Sequence, residues 1–311
     1  MNFKVIIAFV IVYFVWGSTF GAIKIGLESF APFWMASLRF GLAAFVFFIL
    51  ANKKELRSMT KKEVIHEGLI GMLLCFSNAG VCWSQQFIPS GVAALIVGSL
   101  PVMFIVLNWL GFEKKTPHPS AFLAFGIGIS GILLLSMDKT AISNWWVVAA
   151  LIFVNSTWVC GSLLIRMSAN NKSYFSKASI QLGVGSIFLV LLSFLMGEKH
   201  LSFGSVPVSA YLSVLYLGGM GTVVAYTAYS YLLKTVKPEM VSTYALVNPI
   251  VALFLGVLFL DEAFTIKIAY ASGLILMSIL LVLYGERIFM RLVPAMVPVK
   301  KNPNALSEHQ D

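Results

Sequence analysis

The chain has 311 residues, 59% of them hydrophobic and only 11% charged. A soluble globular domain carries about 25% charged residues, so the composition excludes a soluble enzyme or binding domain and points to a polytopic membrane protein. The net charge of +9 needs no nucleic acid as partner, because the basic residues fall where a cytoplasmic membrane face holds them.

A spanning helix needs about 20 largely apolar residues. Ten segments qualify, at about 5–27, 32–51, 66–87, 92–111, 120–137, 145–166, 175–196, 209–231, 238–259 and 265–285. The first is too long for a cleaved signal peptide and has no A-x-A site. Beyond Arg291 the chain is polar and carries Pro294, Pro298 and Pro303, which reads as a tail. The connectors are short and polar. Cys75, Cys82 and Cys160 all lie in apolar segments; their number is odd and their spacing fits no metal site, so they read as packing residues and no metal or other cofactor is expected.

The two halves carry one pattern. Pro89-Ser90-Gly91-Val92-Ala93-Ala94-Leu95 and Ser99-Leu100-Pro101 in span four match Pro238-Glu239-Met240-Val241-Ser242-Thr243-Tyr244 and Val247-Asn248-Pro249 in span nine. Each block closes on acid, Phe112-Glu113 and Asp261-Glu262. Trp16 is followed eight residues on by Lys24, as Trp158 is by Arg166. With the N-terminus inside, Lys and Arg near the cytoplasmic ends number 17 against 4 outside (Lys24, Lys139, Lys199, Lys267). A repeat with an odd number of spans inserts its copies in opposite orientation, the usual architecture of a secondary transporter. The expected fold is an all-α polytopic membrane protein of ten transmembrane helices in two inverted five-helix repeats. Residues 1–137 hold spans one to five, residues 138–291 spans six to ten, and residues 292–311 form a polar cytoplasmic tail, with both termini cytoplasmic in the inner (plasma) membrane.

All thirteen acids, Glu67 among them, read as span ends, loops or tail, and so do the four histidines. A buried carboxylate is the usual proton relay or cation counter-charge. Without one at the midplane, a neutral or zwitterionic small-molecule substrate fits better than a cation. Ion coupling, whether by protons or another ion, then depends on the rim acids Glu28, Glu113, Asp261 and Glu262, with facilitated diffusion as the alternative.

The spans hold amides and aromatics instead, at steps of three or four that share a helix face. The candidate cavity residues are Trp16 and Thr19 in span one, Asn78 and Gln85 in span three, and Asn155 and Trp158 in span six. Tyr226 and Tyr229 in span eight and Tyr244 and Asn248 in span nine complete them. Read singly, each amide fits interhelical bonding; as five stripes they fit a shared cavity. Lys24, Arg39, Glu113 and Glu262 are candidates for gating or charge pairs. Arg39 lies about 10 Å deep at 1.5 Å per residue and must point inward. Its partner is a helix C-terminus, a carboxylate such as Glu28 or Glu262, or an anionic substrate group, with a structural or gating pair favoured. Pro101 and Pro249 interrupt spans four and nine at matching positions and are candidate hinges, a static kink being the alternative.

The blocks Trp16-Gly17-Ser18-Thr19, Ile23-Lys24-Ile25-Gly26 and Leu38-Arg39-Phe40, with the span-four and span-nine blocks and Glu262, resemble the EamA branch of the drug/metabolite transporter superfamily, nearest to its YedA-like permeases. The resemblance covers nearly the whole chain and implies ten helices around a central cavity and efflux of small metabolites such as amino acids. The chain departs from the pattern at Trp83-Ser84-Gln85-Gln86, where an acidic or histidine residue is expected. A non-transporting membrane sensor or a channel-like protein is the competing reading, but there is no selectivity-filter sequence or regulatory domain. No nucleotide-binding motif or catalytic set of ionisable groups occurs, so ATP-driven pumping and an enzyme are not expected. The expected partners are the substrate and the lipid bilayer, with the chain a monomer or a homodimer.

Overall fold

Proline, with no backbone N–H and a fixed φ, suits the first turn of a helix, and Pro32 and Pro119 each open one. The computed structural model describes residues 2–112, 118–137, 145–167, 172–200, 203–236, 241 and 243–292. Among these, eight helices are long and apolar enough to cross a membrane, and two further apolar helices are shorter. In chain order they are α1 (Phe3–Leu27), α2 (Pro32–Leu50), α3 (Lys61–Ser84), α4 (Ser90–Gly111) and α5 (Pro119–Leu135). There follow α6 (Trp145–Met167), α7 (Tyr174–Leu195), α8 (208–235), α9 (Tyr244–Phe259) and α10 (Ile266–Leu292). No strand forms among the described residues. Glu113, Asp138, Lys139, Pro238, Glu239, Met240, Ser242 and the tail beyond residue 292 lie outside them.

The surface is apolar where a soluble protein would be polar. Phe45, Phe48 and Ile49 on α2, Ile187, Leu191 and Phe194 on α7, and Phe254 and Leu258 on α9 are all exposed. Such contiguous apolar faces belong against lipid.

The helices differ from the apolar runs in places. The run in α3 begins at residue 66, yet the helix begins at Lys61. Thr60 and Glu63 form a capping box, in which the Glu63 carboxylate accepts from the Thr60 N–H at 2.7 Å and the Thr60 hydroxyl accepts from the Glu63 N–H at 3.3 Å. α4 breaks at Ser99, between Ser90–Gly98 and Leu100–Leu107, so Pro101 sits in the first turn of its second half. Pro249, by contrast, lies inside the continuous α9. Wide π-helical turns occupy Ile11–Val15 of α1, Asn108–Phe112 of α4 and Leu217–Val224 of α8. In α8 the Thr222 hydroxyl donates to the Leu217 carbonyl five residues back, at 2.9 Å. The three glycines there, Gly218, Gly219 and Gly221, supply more than close packing: they sit in a widened turn of the kind often found at functional sites.

The helix pairs follow a rule of exchange. α2 packs on α7, α4 on α9, and α5 on α10; α3 packs on α6 as α8 packs on α1. Loop acids follow the same rule. Glu198, after α7, accepts from the Phe33 and Trp34 N–H groups at the start of α2, both at 2.9 Å. Glu55, after α2, accepts from the Ser173 N–H at 3.0 Å and from the Ser173 and Ser176 hydroxyls at the start of α7. The Ser173 hydroxyl chiefly, with the Ser173 N–H and Ser176, holds the Glu55 carboxyl below its usual range. A carboxylate at a helix N-terminus also meets the positive end of the helix dipole.

Candidate functional site

The crossing helices leave a space among them, walled by aromatic and aliphatic side chains with a few amides and hydroxyls. That space is a cavity of about 150 Å³, walled by every helix except α5 and α10. Eight of the ten candidate cavity residues line it: Trp16, Thr19, Asn78, Asn155, Trp158, Tyr226, Tyr244 and Asn248. Tyr229 stands behind the wall, its ring packed on Trp16 (5.2 Å), Tyr226 (6.1 Å) and Tyr244 (5.8 Å). Gln85 lies away from it, at the C-terminal end of α3, fully buried and with neither amide atom partnered among the described residues.

Hydrogen bonds fix the aromatic wall. The Trp16 indole N–H donates to the Gly221 carbonyl at 3.0 Å, tying α1 to the wide turn of α8. The Trp16 ring meets Tyr244 edge-on at 5.1 Å. The Asn248 amide nitrogen, oriented by its acceptors, donates to the carbonyls of Tyr13 (3.1 Å) and Tyr244 (3.3 Å). The Asn78 amide donates to the Leu74 carbonyl at 3.1 Å.

Charge is placed unevenly. Among the described residues no carboxylate lines the cavity, while Arg39 does. The Arg39 Nε–H donates to the Thr222 hydroxyl at 3.1 Å, and the guanidinium lies 4.9 Å from the centre of the Phe40 ring. Lys24 reaches the other way and donates to the Gln85 carbonyl at the end of α3, at 2.9 Å. That contact suits a cation at a helix C-terminus. Glu262 closes α4: it accepts from the Ser90 N–H at 2.6 Å, the Gly91 N–H at 3.2 Å and the Ser90 hydroxyl at 3.0 Å. The structure therefore joins neither Lys24 nor Arg39 to Glu262, and Glu28 is exposed.

One carboxylate departs from its sequence reading. Glu67, read as lying near a span end, is buried at 1% exposure within α3 and accepts from the Gln181 amide at 2.6 Å. Gln181 lines the cavity from α7, so an acid lies one side chain behind the wall. Sequence reasoning missed Gln181, although an amide inside an apolar span was the signal that found Asn78. Phe20, Phe40, Ser77 and Thr222 also join the lining.

The two hinge candidates lie close to one crossing. Proline has no N–H for the carbonyl four residues back, so the Ala245 carbonyl is freed in α9. A Cβ on Gly98 would stand 2.9 Å from Pro249 Cγ and 3.3 Å from that carbonyl. A second void of about 40 Å³ adjoins Gly98 and Pro249.

The sequence matches the model of the EamA-like transporter family twice, over residues 3–137 and 142–284. The chain belongs to the EamA-like transporter family. This is a family of transporters, not enzymes, and the chain is accordingly a membrane transporter. An Escherichia coli (strain K12) relative named an uncharacterized inner membrane transporter, YedA, is 31% identical over 283 residues, covering 89% of this chain and 90% of that one. Another from the same organism, named a probable amino-acid metabolite efflux pump, is 25% identical and covers 89% and 94%. A solved crystal structure has a similar fold, with a TM-score of 0.64 at 17% identity over 93% of this chain and 98% of that one.

Proposed function

We propose that this EamA-like chain is a secondary transporter of small organic metabolites, exporting amino acids or related neutral and zwitterionic solutes by alternating access. The observation that carries the reading is the central cavity, lined by amides and aromatics from both halves of the chain. An apolar space with a few converging polar groups is the usual form of a small-molecule site. The name of the probable amino-acid metabolite efflux pump, 25% identical to this chain, supports the substrate class. Alternating access is supported by the broken α4 crossing α9 beside a void.

The architecture in this reading is ten spans in two inverted repeats of five, residues 1–137 and 138–291, in the cytoplasmic membrane with both ends inside. The exchange rule in the packing, in which Glu55 serves α7 and Glu198 serves α2, supports it. So does the 17-to-4 distribution of Lys and Arg. In a cysteine-free background, Lys139→Cys is expected to react with a membrane-impermeant thiol reagent in intact cells, and Arg57→Cys only after permeabilisation. Labelling of Arg57→Cys in intact cells overturns the orientation.

Transport itself is tested with purified protein in vesicles and a panel of radiolabelled amino acids. Asn78→Ala, Trp158→Ala and Tyr244→Ala are expected to slow flux of the best substrate by about tenfold, equivalent to ~1.4 kcal/mol, with no loss of folded protein. Yield that falls in step with flux identifies these residues as packing instead. Coupling in this reading is either absent, giving facilitated diffusion, or carried by a carboxylate near the pathway. Glu67 joins the rim acids as a candidate, because Gln181 links it to the cavity.

A further inference from the structure

We infer that Arg39 binds the carboxylate of the transported solute, so that the cavity selects organic acids and zwitterions whose apolar body rests on its aromatic wall. This deepens the transport reading and rests on it.

Arg39 is 7% exposed and lines the cavity. A guanidinium carries five N–H donors. Here the Nε–H is used by Thr222, and no other hydrogen bond and no carboxylate engages the group among the described residues. Taking a cation out of water costs several kcal/mol unless an anion compensates it. Four acids among the described residues are placed elsewhere. Glu262 closes α4, Glu198 closes α2, Glu67 accepts from Gln181, and Glu28 faces outward. The titratable groups that face it from α3, Cys75 and Cys82, are buried thiols.

Arg39 lines the cavity with only its Nε–H bonded among the described residues. Gly221 lies beside it: a Cβ there would be in ordinary van der Waals contact with Arg39 Nη2, at 3.9 Å, so the glycine leaves the guanidinium uncrowded on that side. A second donor waits in the same space, since Asn155 is 1% exposed, lines the cavity and has no acceptor for its Nδ2 among the described residues. Surplus donors without acceptors call for an acceptor-rich ligand. A planar fork fits a carboxylate through two parallel bonds. Trp16, Trp158, Tyr226 and Tyr244 offer flat apolar faces for the rest of the solute, and such faces also attract an ammonium group.

The test uses full-length protein in detergent, with binding read from intrinsic tryptophan fluorescence and from the melting temperature. The probes are matched pairs, L-phenylalanine against phenylalaninamide and phenylacetate against phenylacetamide, with inorganic phosphate as the non-organic anion. In the wild type each carboxylate is expected to bind about tenfold or more tightly than its amide, because the amide leaves the guanidinium unpaired. Arg39→Met is expected to erase that preference, and Arg39→Lys to shrink it by removing the fork while keeping the charge. Equal binding of acid and amide to the wild type overturns the inference. So does the absence of saturable binding by either acid, phosphate binding as tightly as the organic acids, or an Arg39→Met protein that keeps the preference. If Arg39→Met does not fold, the wild-type pairs and Arg39→Lys decide. Failure of the transport reading looks different: vesicles then hold protein that binds these acids with the stated preference and does not move them.

Discussion

Gly71→Val is expected to leave little folded protein in the membrane. A Cβ at Gly71 would lie 1.9 Å from the Gln181 carbonyl oxygen, 2.5 Å from its carbonyl carbon and 2.6 Å from its Cα. These are backbone atoms and cannot rotate aside. From the other side, a Cβ on Gly185 would meet Cys75 Sγ at 2.4 Å and the Gly71 carbonyl at 2.8 Å. α3 and α7 thus cross backbone to backbone, the approach small residues permit between membrane helices. Parting them also withdraws Gln181 from Glu67 and from the cavity wall. The cost is put at about 3 kcal/mol or more, the upper end for overpacking. Gly126→Ala is the control, since nothing lies within 4 Å of its would-be Cβ, and it should stay within about 1 kcal/mol of wild type, on the stabilising side. Yield on size-exclusion chromatography and the melting temperature report both. A Gly71→Val protein that melts like wild type would sink the close crossing.

Glu262→Ala is expected to destabilise the protein by about 3 kcal/mol, from the loss of charge-assisted bonds worth about 1.5–3 kcal/mol each and not strictly additive. Ser90 is fully buried, so its N–H finds no water when the carboxylate is gone. Glu262→Gln keeps one acceptor oxygen and should recover part of the loss. Neighbouring Asp261 is exposed and adopts a positive φ of 51°, a conformation asparagine shares readily, so Asp261→Asn should be silent. If the two Glu262 variants melt with wild type, the carboxylate does not hold α4.

The helices were legible because lipid demands long apolar runs, and the runs found the span interiors to within a few residues. Their ends were less so. The start of α3 depends on Thr60 and Glu63, a polar signature that an apolar count skips. The cavity was legible as stripes of Trp, Tyr and Asn, since such groups inside an apolar span need protein or a solute against them. Glu67 was not. Sequence position put it beside Lys61, Lys62 and Glu63, and so at the water's edge. Its burial comes from the crossing of α7, and that contact is written in two distant small residues, Gly71 and Gly185, rather than in the neighbourhood of Glu67. The wide turns were illegible for a similar reason: a glycine run permits a π-helical stretch but does not demand one. Gln85 looked like its stripe partner Asn78, but it sits at the terminus of α3, above the space its stripe faces.

The crosswise carboxylates bear on how the chain is made. The acid that closes the start of α2 lies 165 residues downstream, in a segment that emerges only after α7. Until then the Phe33 and Trp34 amides have no protein acceptor, and closing so long a loop carries an entropic cost that local caps avoid. The front half of the polypeptide therefore leaves the ribosome unfinished and is completed by the rear half, as one arm of a domain-swapped dimer is completed by the other. Cut in the connector between α5 and α6, the two pieces are expected to fold only together, each carrying a carboxylate that closes a helix of the other.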